Sequence, residues 1–402
     1  MLDLQVVPEG SLGNEQWQFA LGMPLFQAVQ ILQQNCRTIR NVDVIYNDKQ
    51  PFESDLQLNL VNDGVRLLFE SRSQRLKIIE IYDLSKTKLK YCGKCFNSPQ
   101  IIPTKKLIDK TFGSTLPPHF DEKHHVSMLT FRGITFLFPV DKPYEANHGT
   151  RSQPDDSNLV LTKLSIYNGS NLADTSAPPM PLPCYHGNIY SECTDVLMSE
   201  GRCYGVQFKL VSEGEDNTTG LKLKTSIRCV RFDDTAQDVL SEIGNPCQTF
   251  YKLEDKMKIH SSRAHKMAPS DHSDYFYNYF TLGLDILFDG STHKVKKFIL
   301  HSNHPGHYNF NIYYRSEFKI DLQGVGGAFL ISPDSPWDQV TEALGGPQVV
   351  GKPVVLNRSS STNNTNPFGS TNCYGFENMI FEVMRNNYVA SVTFYKPSID
   401  NS

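Results

Sequence analysis

The sequence contains no run of apolar side chains approaching the roughly 18 that a membrane helix needs, and stretches such as Phe136-Leu137-Phe138 are interrupted within a few positions. A chain that spans a bilayer by helices is not expected. Nor is there an excess of one charge: 39 Lys and Arg against 43 Asp and Glu leave a net charge of -4, too little to gather nucleic acid or an anionic membrane by its overall field. The nine Cys are scattered and odd in number, which fits reduced thiols packed as small hydrophobes better than a disulfide framework. Met1-Leu2-Asp3-Leu4 places an acid where a secretory leader carries positive charge, and neither a Gly at position 2 nor a C-terminal prenylation Cys is present. The expectation is a cytoplasmic protein whose membrane contact, if any, is indirect or reversible. With 39% hydrophobic and 20% charged residues, the 402-residue chain is too apolar to be disordered and long enough for two or three domains, or for one body of repeated units.

A short phrase recurs: Gly, then alternating bulky residues ending in Phe. Gly64-Val65-Arg66-Leu67-Leu68-Phe69 and Gly283-Leu284-Asp285-Ile286-Leu287-Phe288 match closely, while Gly133-Ile134-Thr135-Phe136-Leu137-Phe138 and Gly375 to Glu382 match loosely. In the first, third and fourth copies a polar turn leads into a second alternating run, at Arg75–Ile81, Lys294–Leu300 and Tyr388–Phe394, the pattern of a hairpin. Upstream of each hairpin lies a short amphipathic helix. Thr235 can cap Ala236–Ile243, stopped by Gly244-Asn245-Pro246; Ser335-Pro336 opens Trp337–Leu344, with Gly345-Gly346-Pro347 behind; the others span Thr104–Phe112 and Pro24–Cys36. The predicted fold class is therefore α+β, made of repeated units of one short helix on a small antiparallel sheet. The units pair as 1–169 and 227–402, with 170–226 read as a Pro-rich linker entering a β-rich insertion.

Motifs that carry chemistry are sparse. Cys92-Gly93-Lys94-Cys95 has redox or zinc-knuckle spacing, but no second ligand pair accompanies it and it does not open a helix, so structural thiols are the favoured reading. A His-rich segment runs from His260 to His307; His301, His304 and His307 straddle the Pro305-Gly306 turn and need not converge, and a metallohydrolase would require a zinc they do not evidently hold. No Gly-x-Ser-x-Gly elbow, phosphate-cradling loop or dinucleotide fingerprint is present. No catalytic residue, metal site or cofactor is expected.

Lys252 to Lys266 is the most basic local stretch, and Lys252, Lys256, Lys258, Arg263 and Lys266 are candidate contacts to anionic lipid; a solvated loop is the plainer reading. Arg358 to Pro367 is a polar tract that reads as an exposed loop. Trp337 and Val340 form an aromatic-x-x-aliphatic motif of the kind autophagy receptors present to ubiquitin-like modifiers, yet their spacing on a predicted helix also turns both toward a core.

Taken whole, the chain resembles the family of phagophore, or phagosome, assembly factors, also called MYTHO. The resemblance rests on Met1-Leu2-Asp3-Leu4 with Gly13-Asn14-Glu15-Gln16-Trp17, on Leu89-Lys90-Tyr91-Cys92-Gly93, on Glu254 to Ser261, on Tyr279-Phe280-Thr281-Leu282-Gly283, on Pro305 to Tyr313 and on Asn363 to Thr371. It implies a non-enzymatic, cytoplasmic autophagy regulator. That regulator would complex with a large WD-repeat propeller protein of the breast carcinoma amplified sequence three type and be recruited to the preautophagosomal structure, the propeller supplying phosphoinositide binding. An autonomous phosphoinositide-binding module using the basic loop 252–266 is the alternative.

Overall fold

Alternation of apolar and polar side chains makes a strand with one dry face. In Leu56–Leu60 and Val65–Phe69 the residues Leu56, Leu58, Leu60, Val65, Leu67 and Phe69 are buried, while Gln57, Asn59, Arg66 and Leu68 between them are half-exposed. Built from such segments, the computed structural model is mostly β-sheet with few helices. It describes residues 1–113, 115–121, 123–140, 158–216, 220–252, 273–322, 329–357 and 368–396. The chain divides into two units, Met1–Cys184 and Tyr185–Ser402.

The first unit runs β1 (Leu2–Val7), β2 (Ser11–Gly13), β3 (Gln18–Ala20), α1 (Leu25–Gln34), β4 (Val42–Ile45), β5 (Leu56–Leu60), β6 (Val65–Phe69), β7 (Leu76–Ile81), β8 (Thr87–Tyr91), β9 (Lys94–Asn97), α2 (Lys105–Phe112), β10 (His119–Asp121), β11 (Val126–Phe131), β12 (Ile134–Pro139) and β13 (Lys163–Tyr167). Its sheets have the orders β3-β2-β1-β8-β9 and β10-β11-β12-β13-β7-β6-β5-β4. The second unit runs β14 (Ile189–Ser199), β15 (Arg202–Asp216), β16 (Gly220–Arg231), α3 (Ala236–Ile243), β17 (Gln248–Tyr251), β18 (Tyr275–Tyr279), β19 (Leu284–Phe288), β20 (Val295–His301), β21 (Phe318–Asp321), β22 (Leu330–Ile331), α4 (Trp337–Ala343), α5 (Pro347–Val350), β23 (Val354–Leu356), β24 (Thr371–Phe376), β25 (Met379–Val383) and β26 (Val389–Tyr395). Its sheets are β16-β15-β14-β21-β22 and β17-β18-β19-β20-β26-β25-β24-β23, the same order strand for strand.

In both units the five-stranded sheet is closed by a central parallel pair, β1 with β8 and β14 with β21. The eight-stranded sheet is two four-stranded antiparallel meanders joined edge to edge, β13 on β7 and β20 on β26. Each meander follows a helix, α5 intervening before the last one, and the first amide of α1, α2, α3 or α4, which has no partner inside the helix, donates to a carbonyl that precedes the meander's last strand. The four bonds are Leu25 N to Gln74 O (2.8 Å), Lys105 N to Leu159 O (2.9 Å), Ala236 N to His293 O (3.0 Å) and Trp337 N to Asn387 O (2.7 Å). Thr104 and Thr235 add side-chain caps, the latter in a capping box with Asp238, whereas Pro24 and Pro336 add none. Helix α5 is absent from the sequence expectation, which reads Gly345-Gly346-Pro347 as a stop; the Pro instead occupies the first turn of a new helix.

In the second unit one hydrophobic cluster takes residues from all layers: Val206, Phe208 and Val230 from the five-stranded sheet, Val239, Ile243, Val340 and Leu344 from the helical segments, and Leu284, Phe298, Phe381 and Phe394 from the eight-stranded sheet.

Three sequence expectations differ from what is observed. The meanders, of four strands each, merge into one eight-stranded sheet in each unit rather than forming small separate sheets. The segment 170–226, read as linker and insertion, supplies β14, β15 and part of β16, the hairpin strands of the five-stranded sheet, and β14 pairs with β21 as β1 pairs with β8; long-range pairing of this kind leaves no local signal. Gly375 lies inside β24. The position before β25 that matches Gly133 before β12 is Asn378, whose carboxamide accepts from Cys203 N (2.9 Å) and donates to Cys203 O (2.7 Å). Gly133 makes the corresponding contact with backbone alone, its carbonyl accepting from Glu9 N (3.2 Å). An ion pair beside each contact has its charges exchanged: Arg132 with Glu9 (2.9 Å) in the first unit, Glu377 with Arg202 (2.8 Å) in the second.

Candidate functional site

Strand β19 departs from the alternation of β6. All five of its residues are buried, so both faces of the second unit's sheet are covered at this point. One face belongs to the hydrophobic cluster. On the other lie Asp285 on β19, His301 on β20, Ser391 on β26 and Glu382 on β25, all less than a tenth exposed. Their cover is the connection from β20 to β21, residues 302–317, where the first unit has only 82–86 between β7 and β8.

The cover is fastened by polar contacts. Asp285 receives three donors: Asn278 Nδ2 at 2.6 Å on Oδ1, His301 Nε2 at 2.9 Å on Oδ2, and the Tyr313 hydroxyl at 2.8 Å from both oxygens. The Tyr313 ring stacks on His301 with centroids 3.8 Å apart. Burial, with the Asp285 charge adding to it, pushes the Tyr313 hydroxyl far above the ordinary phenol range. Glu382 is likewise filled, accepting from Thr371 Oγ1 (2.7 Å), His307 Nε2 (3.1 Å) and Ser391 Oγ (3.0 Å). Arg315 donates to Ser302 O (3.2 Å), to Glu317 (3.0 Å) and to Asp334. His304 donates from Nε2 to Pro333 O (3.1 Å), and burial, reinforced by the Arg315 charge, pushes its pKa down to about 3.

Chemically, this cluster is a set of carboxylates saturated by the protein's own donors. His301 and His307 bind different carboxylates and His304 binds a backbone carbonyl, so the three histidines do not converge. Among the described residues no group of three or more His, Cys, Asp or Glu is placed to hold a metal. The signal for the cluster was present but easily misread: Asp285 interrupts an apolar strand phrase at the position where the matching phrase has Arg66. Tyr313 and Arg315 carried none, because only the fold brings 302–317 onto β19 and β20.

The other sequence candidates resolve as follows. Cys92 and Gly93, both at positive φ (48° and 76°), are the two turn residues between β8 and β9, so the Cys-x-x-Cys spacing is that of a tight hairpin; Cys95 Sγ donates to Asn97 O at 3.3 Å. Burial pushes the Cys184 and Cys203 thiols up to about 12, which makes both poor nucleophiles at neutral pH. Trp337 and Val340 are buried on α4, the Trp337 ring centroid 4.6 Å from Tyr374 and 5.4 Å from Phe381. Lys252 is exposed, with its ammonium 5.8 Å from the Phe276 ring centroid. Lys256, Lys258, Arg263 and Lys266 lie outside the described residues, as does Arg358 to Pro367. No helix among the described residues is long and apolar enough to cross a membrane.

Two β-rich units of like strand order, the second with a buried polar cluster that fastens residues 302–317 over its sheet, define an α+β protein. The chain belongs to the phagosome assembly factor 1 family, whose model it matches over residues 15–395. It is 43% identical to the PHAF1 protein of Drosophila melanogaster, covering 98% of this chain and 94% of the relative. It is 34% identical to a Caenorhabditis elegans PHAF1 protein (97% and 93%) and 33% identical to one of Arabidopsis thaliana (94% and 90%). The family name is that of an assembly factor in phagosome formation; it names no catalytic activity. No solved structure matches the chain.

Proposed function

We propose that this protein is a non-enzymatic scaffold of autophagosome formation. It forms a complex with a WD-repeat propeller protein and is recruited with it from the cytoplasm to the phagophore. The observation that carries the reading is family membership along nearly the whole chain, retained at 33% identity as far as a plant relative. The matching strand orders support a platform built from four copies of one helix-and-meander unit, in two pairs. The test is copurification of the full chain with the propeller protein from starved cells, followed by crosslink mapping. Crosslinks on the helix-and-meander segments are expected; absence of the propeller protein from the purified complex would refute the reading.

A second reading has the chain bind phosphoinositide by itself through Lys252, Lys256, Lys258, Arg263 and Lys266, and the exposed Lys252 favours it. It requires the purified chain to sediment with anionic liposomes in the absence of a partner. Charge neutralisation at Lys256, Lys258 and Arg263 must then abolish sedimentation. Use of Trp337 and Val340 as a modifier-binding motif would require α4 to leave its core first.

A further inference from the structure

The two five-stranded sheets differ most at one edge. In the first unit the edge strand β3 has three residues, Gln18–Ala20, two of them buried. Its counterpart β16 runs Gly220–Arg231 and pairs without a register shift with β15, from Gly205 opposite Arg231 to Asp216 opposite Gly220. It has no strand on its other side among the described residues. A long open edge presents unpaired backbone groups and invites another strand.

Which groups are free follows from the end of the ladder. Arg231 N bonds Asp234 Oδ2 (2.7 Å) and Arg231 O accepts from Asp234 N (3.3 Å), while the next amide, Phe232 N, turns back to Tyr204 O on β15 (3.2 Å). Backbone groups alternate sides along an antiparallel strand. The amides and carbonyls of Leu223, Thr225, Ile227 and Cys229 therefore face away from β15. Side chains alternate too. Lys222, Lys224 and Arg228 share one face of the strand, and Leu223 and Ile227, 47% and 64% exposed, share the other. The strand contains no Asp or Glu. On the basic face Glu242 lies 3.9 Å from Arg228; on the apolar face Glu213 stands opposite Leu223.

We propose that β16 is a docking edge for an extended polypeptide segment of a partner protein, one with acidic residues at alternate positions and apolar residues between them. Main-chain hydrogen bonds to Leu223, Thr225, Ile227 and Cys229 supply the register. Acidic side chains meet Lys224 and Arg228, and apolar ones cover Leu223 and Ile227. Lysines on an edge ordinarily discourage pairing, but what they discourage is a like-charged strand, including β16 of a second copy. Solvation explains Lys224 and leaves Ile227 unexplained. The inference stands on the edge alone and does not depend on the propeller partner.

The probe is a capped, fluorescein-labelled ten-residue peptide alternating Glu and Val, titrated with the full chain and read by anisotropy. Saturable binding is expected, weakened about tenfold or more by the double substitution Lys224→Glu/Arg228→Glu and by raised salt. That double variant should instead bind a Lys-Val peptide that the unmodified chain rejects. Thr225→Pro removes one outward amide while leaving the bonds to β15, and should weaken binding comparably with an unchanged thermal midpoint. Should either variant fail to fold, a Glu-Val peptide N-methylated at alternate residues tests the same bonds on the unmodified chain and should not bind. No saturable binding up to about 1 mM overturns the proposal. So does equal affinity for the N-methylated peptide, which would mean attraction by charge alone. A dimer of the full chain that Thr225→Pro dissociates would assign the edge to a second copy and overturn it as well.

Discussion

Removing the Tyr313 hydroxyl is the sharpest test of how the segment 302–317 is held. Tyr313→Phe keeps the ring stacked on His301 and deletes only the donor that lies 2.8 Å from both oxygens of Asp285. Both residues are buried, Tyr313 at 6% and Asp285 at 7% exposure, so water cannot readily replace the lost donor. A hydrogen bond to a charged group contributes roughly 1.5–3 kcal/mol. With Asn278 and His301 still donating, a loss of about 2 kcal/mol is expected, which lowers the midpoint of a unit of this size by about 4–8 °C. The assay is thermal and urea unfolding of the full chain, with hydrogen exchange reporting on the amides of Tyr314 and Ser316, which bond Phe280 O (2.7 Å) and His301 O (2.9 Å). Faster exchange should be confined to this segment and its contacts. In an Asp285→Asn background the same substitution should cost clearly less, because the charge that strengthens the bond is gone. An unchanged midpoint, or equal cost in both backgrounds, would refute the claim that this bond fastens the cover.

Gly283 sits at φ 65° with a would-be Cβ 2.4 Å from Tyr314 O, while Gly93 sits at φ 76° with nothing within 4 Å. Gly93→Ala should cost the left-handed backbone penalty of roughly 1–2 kcal/mol, and Gly283→Ala that plus about 1–3 kcal/mol for displacing the cover, measured as the difference in urea midpoints. Trp337→Ala should destabilise the second unit by about 3–5 kcal/mol, so any loss of binding to an autophagy modifier should track loss of fold and not appear in a well-folded variant. The His304 pKa is depressed in the folded chain, so the unfolded chain binds more protons between about pH 3 and 6.5 and stability falls as pH drops through that window. His304→Gln should flatten the dependence of the unfolding midpoint on pH between 6.5 and 4; an unchanged slope would assign acid lability to the carboxylates.

The sequence by itself determined the local elements and the family. Helix ends were written in Thr104, Thr235 and Gly244, because caps act within one turn of chain. Strands were written in alternation, because a pleat exposes every second side chain, and the recurring Gly-to-Phe phrase marked β6, β12 and β19. The long phrases shared with the assembly factors pointed to the family that the match over residues 15–395 shows. What only the tertiary structure decided were the pairings between distant segments: β1 on β8, β14 on β21, and the joining of meanders through β7 with β13 and β20 with β26. Parallel partners tens of residues apart, or more than a hundred, leave no periodicity in either strand. The same holds for the polar cluster, where Glu382 meets His307 across 75 positions, and for the open edge at β16. Whether a strand ends a sheet depends on which other strand reaches it, and nothing within the strand itself records that.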